Sequence, residues 1–348
     1  MSQLPGLEAV IAAAERFYPG SSIGPAGGRS WLVVVETGAG RFSVRQLDPA
    51  LPAVRVELIQ EFLAQPGLSN ATPLFERSNA AGVAIDARRW IDGNPMGNAI
   101  LQEAWQTLHL PTDLGIGQLG TIAYALGAFH RTGSNSSILA RVPQVRLKEL
   151  LVATRRALDL DERHLANEIR RESRARRWLS AARPLLSNAE SNLELSGYLR
   201  DEPLVLAHLD LWGSHIVQGR DEVAFLDCAT LGAAPAALDL AQLIARNGPW
   251  SDDRVERVLT MYAEAFPLPP AQRRILPWLA ALDAIQSCGR LLVRAAGERN
   301  PLPETDRRTV LATVDGQLDL LQNLATVFVP PPARQRRRPG HRPSRRDT

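Results

Sequence analysis

The chain has 348 residues, long enough for two lobes with separate cores, and its 40 Lys and Arg against 37 Asp and Glu give a formal charge of +3. Seven arginines and one acid fall in the last eighteen residues, so the body carries −3 and the pI of 9.2 reflects a tail rather than a nucleic-acid-binding face. Two cysteines exclude a disulfide framework, and no apolar run approaches the roughly 18 residues that would span a bilayer.

The first residues place Glu8 and Glu15 within an apolar pattern that no basic residue precedes. They predict a short amphipathic helix rather than a signal peptide, and a cytoplasmic protein with no membrane contact. Gly24-Pro25-Ala26-Gly27-Gly28 follows, either a turn into the first strand or a loop bringing N–H groups close to an anion. Residues 31 to 36 and 41 to 47 are β-rich runs separated by Thr37-Gly38-Ala39-Gly40, a hairpin signal. Residues 53 to 64 put Val54, Leu58 and Phe62 on one helical stripe, with Glu57 and Glu61 on a neighbouring face. A third β segment, 82 to 91, ends in the turn signal Asp92-Gly93-Asn94-Pro95.

That turn divides the chain into a nucleotide-binding lobe (1–92), a mainly helical catalytic and substrate lobe (93–330) and a disordered basic tail (331–348). In the second lobe, apolar spacing predicts helices over 99–108, 116–131, 145–159, 161–182, 188–200, 239–247, 252–265, 271–296 and 304–326. Short strands at 203–207, 215–218 and 222–226 interrupt them. The fold class is therefore α+β, a small antiparallel β lobe followed by a larger helical one. Arginines 170, 171, 174, 176, 177 and 183 are interspersed with Glu168 and Glu172 and lack an aromatic ladder, so they read as a solvated face and not a specific nucleic-acid site.

Two aspartates at the ends of the β insertion carry the chemistry. Asp210 follows one apolar strand, where a carboxylate can take a proton from an acceptor hydroxyl. Asp227 follows another, where it can bind a hard cation bridging phosphates. His215 stands five positions after Asp210, where the phosphotransfer template has a metal-binding Asn. On the hairpin strand Phe42 and Val44 alternate with Ser43 and Arg45. Arg45 is thus either a cleft-facing phosphate contact held by Glu57 or Glu61, or a solvent-facing residue. Asp239 reads as a helix cap, His130 as a structural residue, and Cys228 as a small buried side chain with no chemical role.

These residues resemble the aminoglycoside phosphotransferase and choline kinase superfamily, which is built like a eukaryotic protein kinase. The resemblance rests on LVLAHLDLWGSHIV followed by VAFLDCATLGAAPAALDLAQL, similar to the family's His-x-Asp-x-x-x-x-Asn loop, metal-binding Asp and Asp-Leu-Ala helix start. VVVETGAGRFSVRQL is similar to the nucleotide-binding hairpin, and RRWIDGNPM to the hinge between lobes. The resemblance implies a protein-kinase-like two-lobe fold and γ-phosphoryl transfer from ATP or GTP, with Mg²⁺ or alternatively Mn²⁺, to a hydroxyl of a small metabolite or amino-sugar-like acceptor. It further implies Asp210 as base, Asp227 and the residue at 215 as metal ligands, and Arg45 with Glu57 on the phosphates. Trp90, Ile91 and Asp92 become the adenine-facing hinge. Trp212, Trp250, Trp278 and Asp283 are candidates for the acceptor side.

His215 departs from the family's Asn and exchanges an amide oxygen for an imidazole nitrogen, which suits softer ions such as Mn²⁺ or Zn²⁺. Two other readings therefore stand beside the kinase: a catalytically degenerate kinase-fold binding protein, and a transition-metal hydrolase using His208, Asp210 and His215.

Overall fold

The computed structural model describes residues 7–25, 32–46, 53–63, 65, 74–80, 83–103, 106–195, 203–219, 222–297 and 302–328. Most of the glycine loop (26–28) and the basic tail (331–348) lie outside them. Helix α1 (Leu7–Phe17) turns Val10, Ala13 and Ala14, spaced three and four apart, onto a small core. Strand β1 (Ser22–Pro25) leads to the expected hairpin, β2 (Leu32–Thr37) and β3 (Gly40–Gln46), whose Val33, Val35 and Val44 complete that core by alternation. With β4 (Leu74–Ala80) and β5 (Val83–Arg89) these strands form an antiparallel sheet in the order β1-β2-β3-β5-β4.

Helix α2 (Ala53–Leu63) precedes β4 in sequence, yet its Leu58, Ile59 and Phe62 enter the larger core of the helical lobe. The Phe62 ring meets Phe129 edge-on at 5.0 Å, and Glu61 pairs with Arg141 at 2.6 Å rather than with Arg45.

Past β5 the chain forms β6 (Asn94–Pro95), then β7 (Ala99–Glu103) and β8 (Gln106–His109). The helix expected over 99–108 is thus an antiparallel hairpin with an irregularity between Leu101 and Glu103. Short apolar runs do not separate strand from helix by period alone. Helices α3 (Ile116–Ser134) and α4 (Leu147–His164) follow as expected. The two helices expected over 161–182 and 188–200 are instead a short α5 (Ala166–Arg171) and a continuous α6 (Ser173–Leu195) that passes through Pro184. Leu185 and Leu186, fully buried beside that proline, hold the helix in place by packing.

The β insertion comprises β9 (Leu204–Ala207), β10 (Ile216–Gln218), β11 (Val223–Phe225) and β12 (Gly232–Pro235). β12 pairs with β9, while β10 lies between β11 and β6. The remaining helices are α7 (Ala236–Arg246), α8 (Asp252–Ala265), α9 (Pro270–Ala296) and α10 (Glu304–Phe328). Every residue of α7 is buried, and α9 contributes much of the large core. Among the described residues, no helix is long and apolar enough to cross a membrane.

Candidate active site

Both sequence-selected aspartates leave short strands through left-handed backbone. Leu209, immediately before Asp210, has φ of 65°, and Asp227 itself has φ of 56°. For a leucine this conformation costs roughly 1 kcal/mol, so the surroundings must impose it. Helix α7 does so. Asp239 accepts the backbone N–H groups of His208 at 2.7 Å and Leu209 at 2.8 Å. Gln242 accepts from the N–H of Leu211 and donates to the carbonyl of Leu209, both at 3.2 Å. Asn247 donates to the carbonyl of Leu211 at 3.2 Å.

Asp239 is therefore not the helix cap expected from sequence; the capping position is Pro235. Its carboxylate also meets His130 Nε2 at 3.0 Å, and His130 Nδ1 lies 2.7 Å from the Tyr262 hydroxyl. Burial would raise the Asp239 carboxyl, but the His130 hydrogen bond and the loop N–H groups hold it below its ordinary value.

Asp210 uses one oxygen, Oδ1, to accept from Arg246 Nη1 and Trp212 Nε1, both at 2.8 Å. Arg246 lies 4.3 Å from the centre of the Trp212 ring and forks onto Asp283 at 2.8 and 2.6 Å. Asp283 thus reaches the Asp210 loop through a buried cation. Burial would lift the Asp210 carboxyl, but Arg246 and the neighbouring histidines keep it below the usual carboxylate range.

A 3₁₀ turn, Gly213–His215, carries the histidine. His215 Nδ1 donates to the Asp210 carbonyl at 2.8 Å, and Nε2 lies 3.9 Å from Asp227 Oδ2. The Asp227 side chain is 46% exposed. Burial opposes its ionisation, yet Arg45, His215 and Arg88 hold it below its ordinary value. Arg88, buried on β5, sits opposite Ser43 on β3, the neighbour of Arg45 on the same face.

Glu57 is exposed on α2. Trp90 leaves β5 with its N–H donating to the Arg41 carbonyl at 2.9 Å, and Asp92 lies 3.6 Å from the Arg41 guanidinium. Ile91 is half-buried between them. The linker then docks on the helical lobe, Asn94 and Pro95 pairing with Gln218 and Val217.

Trp250 and Trp278 pack against the large core, Trp278 with its ring 4.0 Å from Phe328. Neither has a hydrogen bond or ring contact with the Asp210 group among the described residues. His208 donates from Nε2 to the Leu226 carbonyl at 2.8 Å, while Nδ1 accepts the Asp210 N–H at 3.3 Å. No nitrogen of His208 is left for the metal of a hydrolase.

Sequence reasoning missed Gln242, Arg246, Asn247, Arg88 and His109. The first two had a legible signal, polar residues three and seven positions after Asp239 on one face of an otherwise apolar helix. His109 has none: it stands one position beyond the helix expected over 99–108, at the end of β8. Its ring centroid lies 4.1 Å from that of His215, and its Nδ1 lies 2.8 Å from Ser214 Oγ. Burial, with repulsion from His215, pushes the His109 imidazole down to about 4.

Residues 115–278 match the model of the phosphotransferase enzyme family. This segment is similar to that family. The matched segment contains Asp210, His215, Asp227, Asp239 and Arg246, but not His109 or the small sheet. Over about nine-tenths of the chain the fold is that of solved kinase and phosphotransferase structures. A choline/ethanolamine kinase family protein from Mesorhizobium loti aligns with a TM-score of 0.59 at 14% identity, covering 92% of this chain and 93% of that one. Choline kinase from Cryptosporidium parvum gives 0.59 at 12%, covering 92% and 96%. Macrolide 2'-phosphotransferase from Brachybacterium faecium gives 0.51 at 14%, covering 88% and 98%. No curated protein matches the chain by sequence. The expected protein-kinase-like arrangement of a small β lobe and a larger helical lobe is the one found.

Proposed function

We propose that this protein transfers the γ-phosphoryl group of ATP or GTP to a hydroxyl of a small metabolite or amino-sugar-like acceptor, in the cytoplasm. One juxtaposition carries the reading: Asp210 and Asp227 flank His215 on two left-handed turns, and Arg45 and Arg88 add positive charge beside Asp227. In this reading residues 1–92 form the nucleotide side and 93–330 the acceptor side. The Trp90–Asp92 linker faces the adenine, and Arg45, steadied by Glu57, meets the phosphates.

An ionised, half-exposed Asp227 with His215 Nε2 at 3.9 Å is a donor set that fits Mg²⁺ or Mn²⁺, the nitrogen favouring Mn²⁺. Such an ion, when bound, neutralises the charge of the phosphates. Asp210 Oδ2, the oxygen not engaged by Arg246 or Trp212, takes the proton of the acceptor hydroxyl. The acceptor oxygen bonds to the γ-phosphorus as the bond to the β–γ bridging oxygen breaks, leaving a nucleoside diphosphate. Trp212 walls the acceptor side, Asp283 acts through Arg246, and Trp250 and Trp278 support the helices around them.

Substituting Asp210→Asn should lower nucleotide-dependent phosphorylation at least ~100-fold, with nucleotide affinity within a few-fold of the parent. Turnover at the parent rate would remove Asp210 as the base.

A second reading, a degenerate kinase fold that binds without transferring, is favoured by His215 and by the 2.8 Å ion pair that occupies one oxygen of Asp210. His215→Asn separates the two: degeneration predicts a gain of ~10-fold or more in Mg²⁺-dependent nucleotide binding. Unchanged or weaker binding would count for His215 as a working ligand.

A further inference from the structure

Two imidazoles meet the proposed base from different parts of the fold. His109 ends the β7–β8 hairpin before α3, and His215 ends the 3₁₀ turn after Asp210. His109, Asp210 and His215 each offer one ligand atom, and these atoms lie within 4.8 Å of one another. Hydrogen bonds to atoms other than the candidate ligand atoms hold each of them. Ser214 Oγ engages His109 Nδ1 at 2.8 Å, and no described residue engages Nε2. His215 Nδ1 donates to the Asp210 carbonyl at 2.8 Å. Arg246 and Trp212 hold Asp210 Oδ1 and leave Oδ2. Ligating side chains in metal sites are oriented by outer partners in this way.

We infer that His109, His215 and Asp210 form a site for a borderline divalent transition ion of the Zn²⁺ or Co²⁺ class, whose occupancy withdraws Asp210 from phosphoryl transfer. Two nitrogens and one carboxylate oxygen suit such an ion and not Mg²⁺, which prefers an octahedron of oxygens. Tetrahedral bonds of about 2.1 Å set ligand atoms about 3.4 Å apart, so binding draws the cluster inward by about 1 Å. Half-exposed His109, at the end of a hairpin, supplies that movement. Asp227 is not a member, which separates this site from the Asp227 and His215 pair proposed for the nucleotide's ion. Because His215 belongs to both, the two occupancies exclude each other. The inhibitory consequence rests on the proposed role of Asp210; capture of the ion does not.

The test uses the full chain, stripped with chelator and titrated with Co²⁺ while visible ligand-field absorption is recorded, then with Zn²⁺ as competitor. One equivalent of Co²⁺ should give bands that Zn²⁺ abolishes. His109→Gln should weaken binding at least ~10-fold with its thermal midpoint unchanged. Asp227→Asn should bind Co²⁺ within threefold of the parent. Absence of bands, parent-like affinity in His109→Gln, or loss of binding in Asp227→Asn would each overturn the site. In turnover assays with excess Mg²⁺-nucleotide, Zn²⁺ should inhibit the parent at least ~10-fold more strongly than His109→Gln, each measured against its own uninhibited rate. Equal inhibition would overturn the regulatory role. A chain with no turnover at all would instead strike at the kinase reading, while the Co²⁺ titration still decides the site.

Discussion

At the scale of single residues, Arg246 governs the candidate site. It is 3% exposed, and its guanidinium joins Asp283 to Asp210. Breaking a buried pair from one side costs more than the pair's net worth, because the remaining charges keep their desolvation penalty. Arg246→Met should therefore destabilise the fold by about 3–5 kcal/mol, measured by urea denaturation, whereas Arg246→Lys should lose less by retaining the charge. The pH dependence has a definite sign. Asp210 has a folded-state value below its unfolded one, so its contribution is complete above the unfolded value and is lost as pH falls through the folded one. Without Arg246 the acid unfolding midpoint should move to higher pH. A midpoint equal to or below the parent's would mean that the cation does not hold Asp210 ionised.

At the scale of elements, the contact of α4, α6 and α9 contains a group working against stability. Asp161 on α4 is buried against Gly289 of α9 and Trp178 of α6, and its Oδ2 has no hydrogen-bond partner. Burial pushes its carboxyl up to about 6, and Arg290 and His164 offset only part of that. Here the folded form binds the proton more tightly than the unfolded chain, so stability declines as pH rises from about 4 to about 6 and stays lower above. Asp161→Asn should raise the thermal midpoint by roughly 2 °C at pH 7.5, the scale of ~1 kcal/mol, and leave it unchanged near pH 4. A gain of the same size at both pH values would assign the effect to something other than ionisation. The helices making this contact were only partly legible in the sequence. The amphipathic period of α4, like that of α8, could be read directly, because one face of each meets water. The break expected between 182 and 188 failed where buried Leu185 and Leu186 carry α6 through Pro184. The β7–β8 hairpin failed because its apolar residues satisfy helical and extended spacing alike, and His109 was lost with it. Asp210, His215 and Asp227 were legible because template spacing lies within one short stretch. Their partners on α7 and β5 meet them only through tertiary folding.

At the scale of the whole molecule, the small sheet reaches the helical lobe through a linker that packs backbone to backbone on the loop after Asp210. A Cβ built on Gly97 would lie 2.6 Å from Thr112 Oγ1 and 2.7 Å from both the Gly213 carbonyl carbon and the Ser214 nitrogen. Two of those atoms are main chain, so side-chain rotation cannot relieve the crowding. Either the linker lifts or the 3₁₀ turn carrying Ser214 and His215 shifts. Both outcomes alter the geometry between the small sheet and Asp210, because β6 follows the Trp90–Asp92 linker and pairs with β10 directly behind that turn. Gly97→Ala should therefore cost about 1–3 kcal/mol and lower kcat for phosphoryl transfer by ~10-fold or more. Gly117, in the first turn of α3, has nothing within 4 Å of a built Cβ, so Gly117→Ala should leave turnover unchanged and stabilise slightly through helix propensity. Comparing thermal midpoints and kcat of the two variants isolates the close approach from glycine's general flexibility. Equal behaviour would mean that the linker and the loop after Asp210 do not move as one unit. A loss confined to Gly97→Ala would make that backbone contact the mechanical joint through which the small sheet sets the position of the phosphates relative to the acceptor.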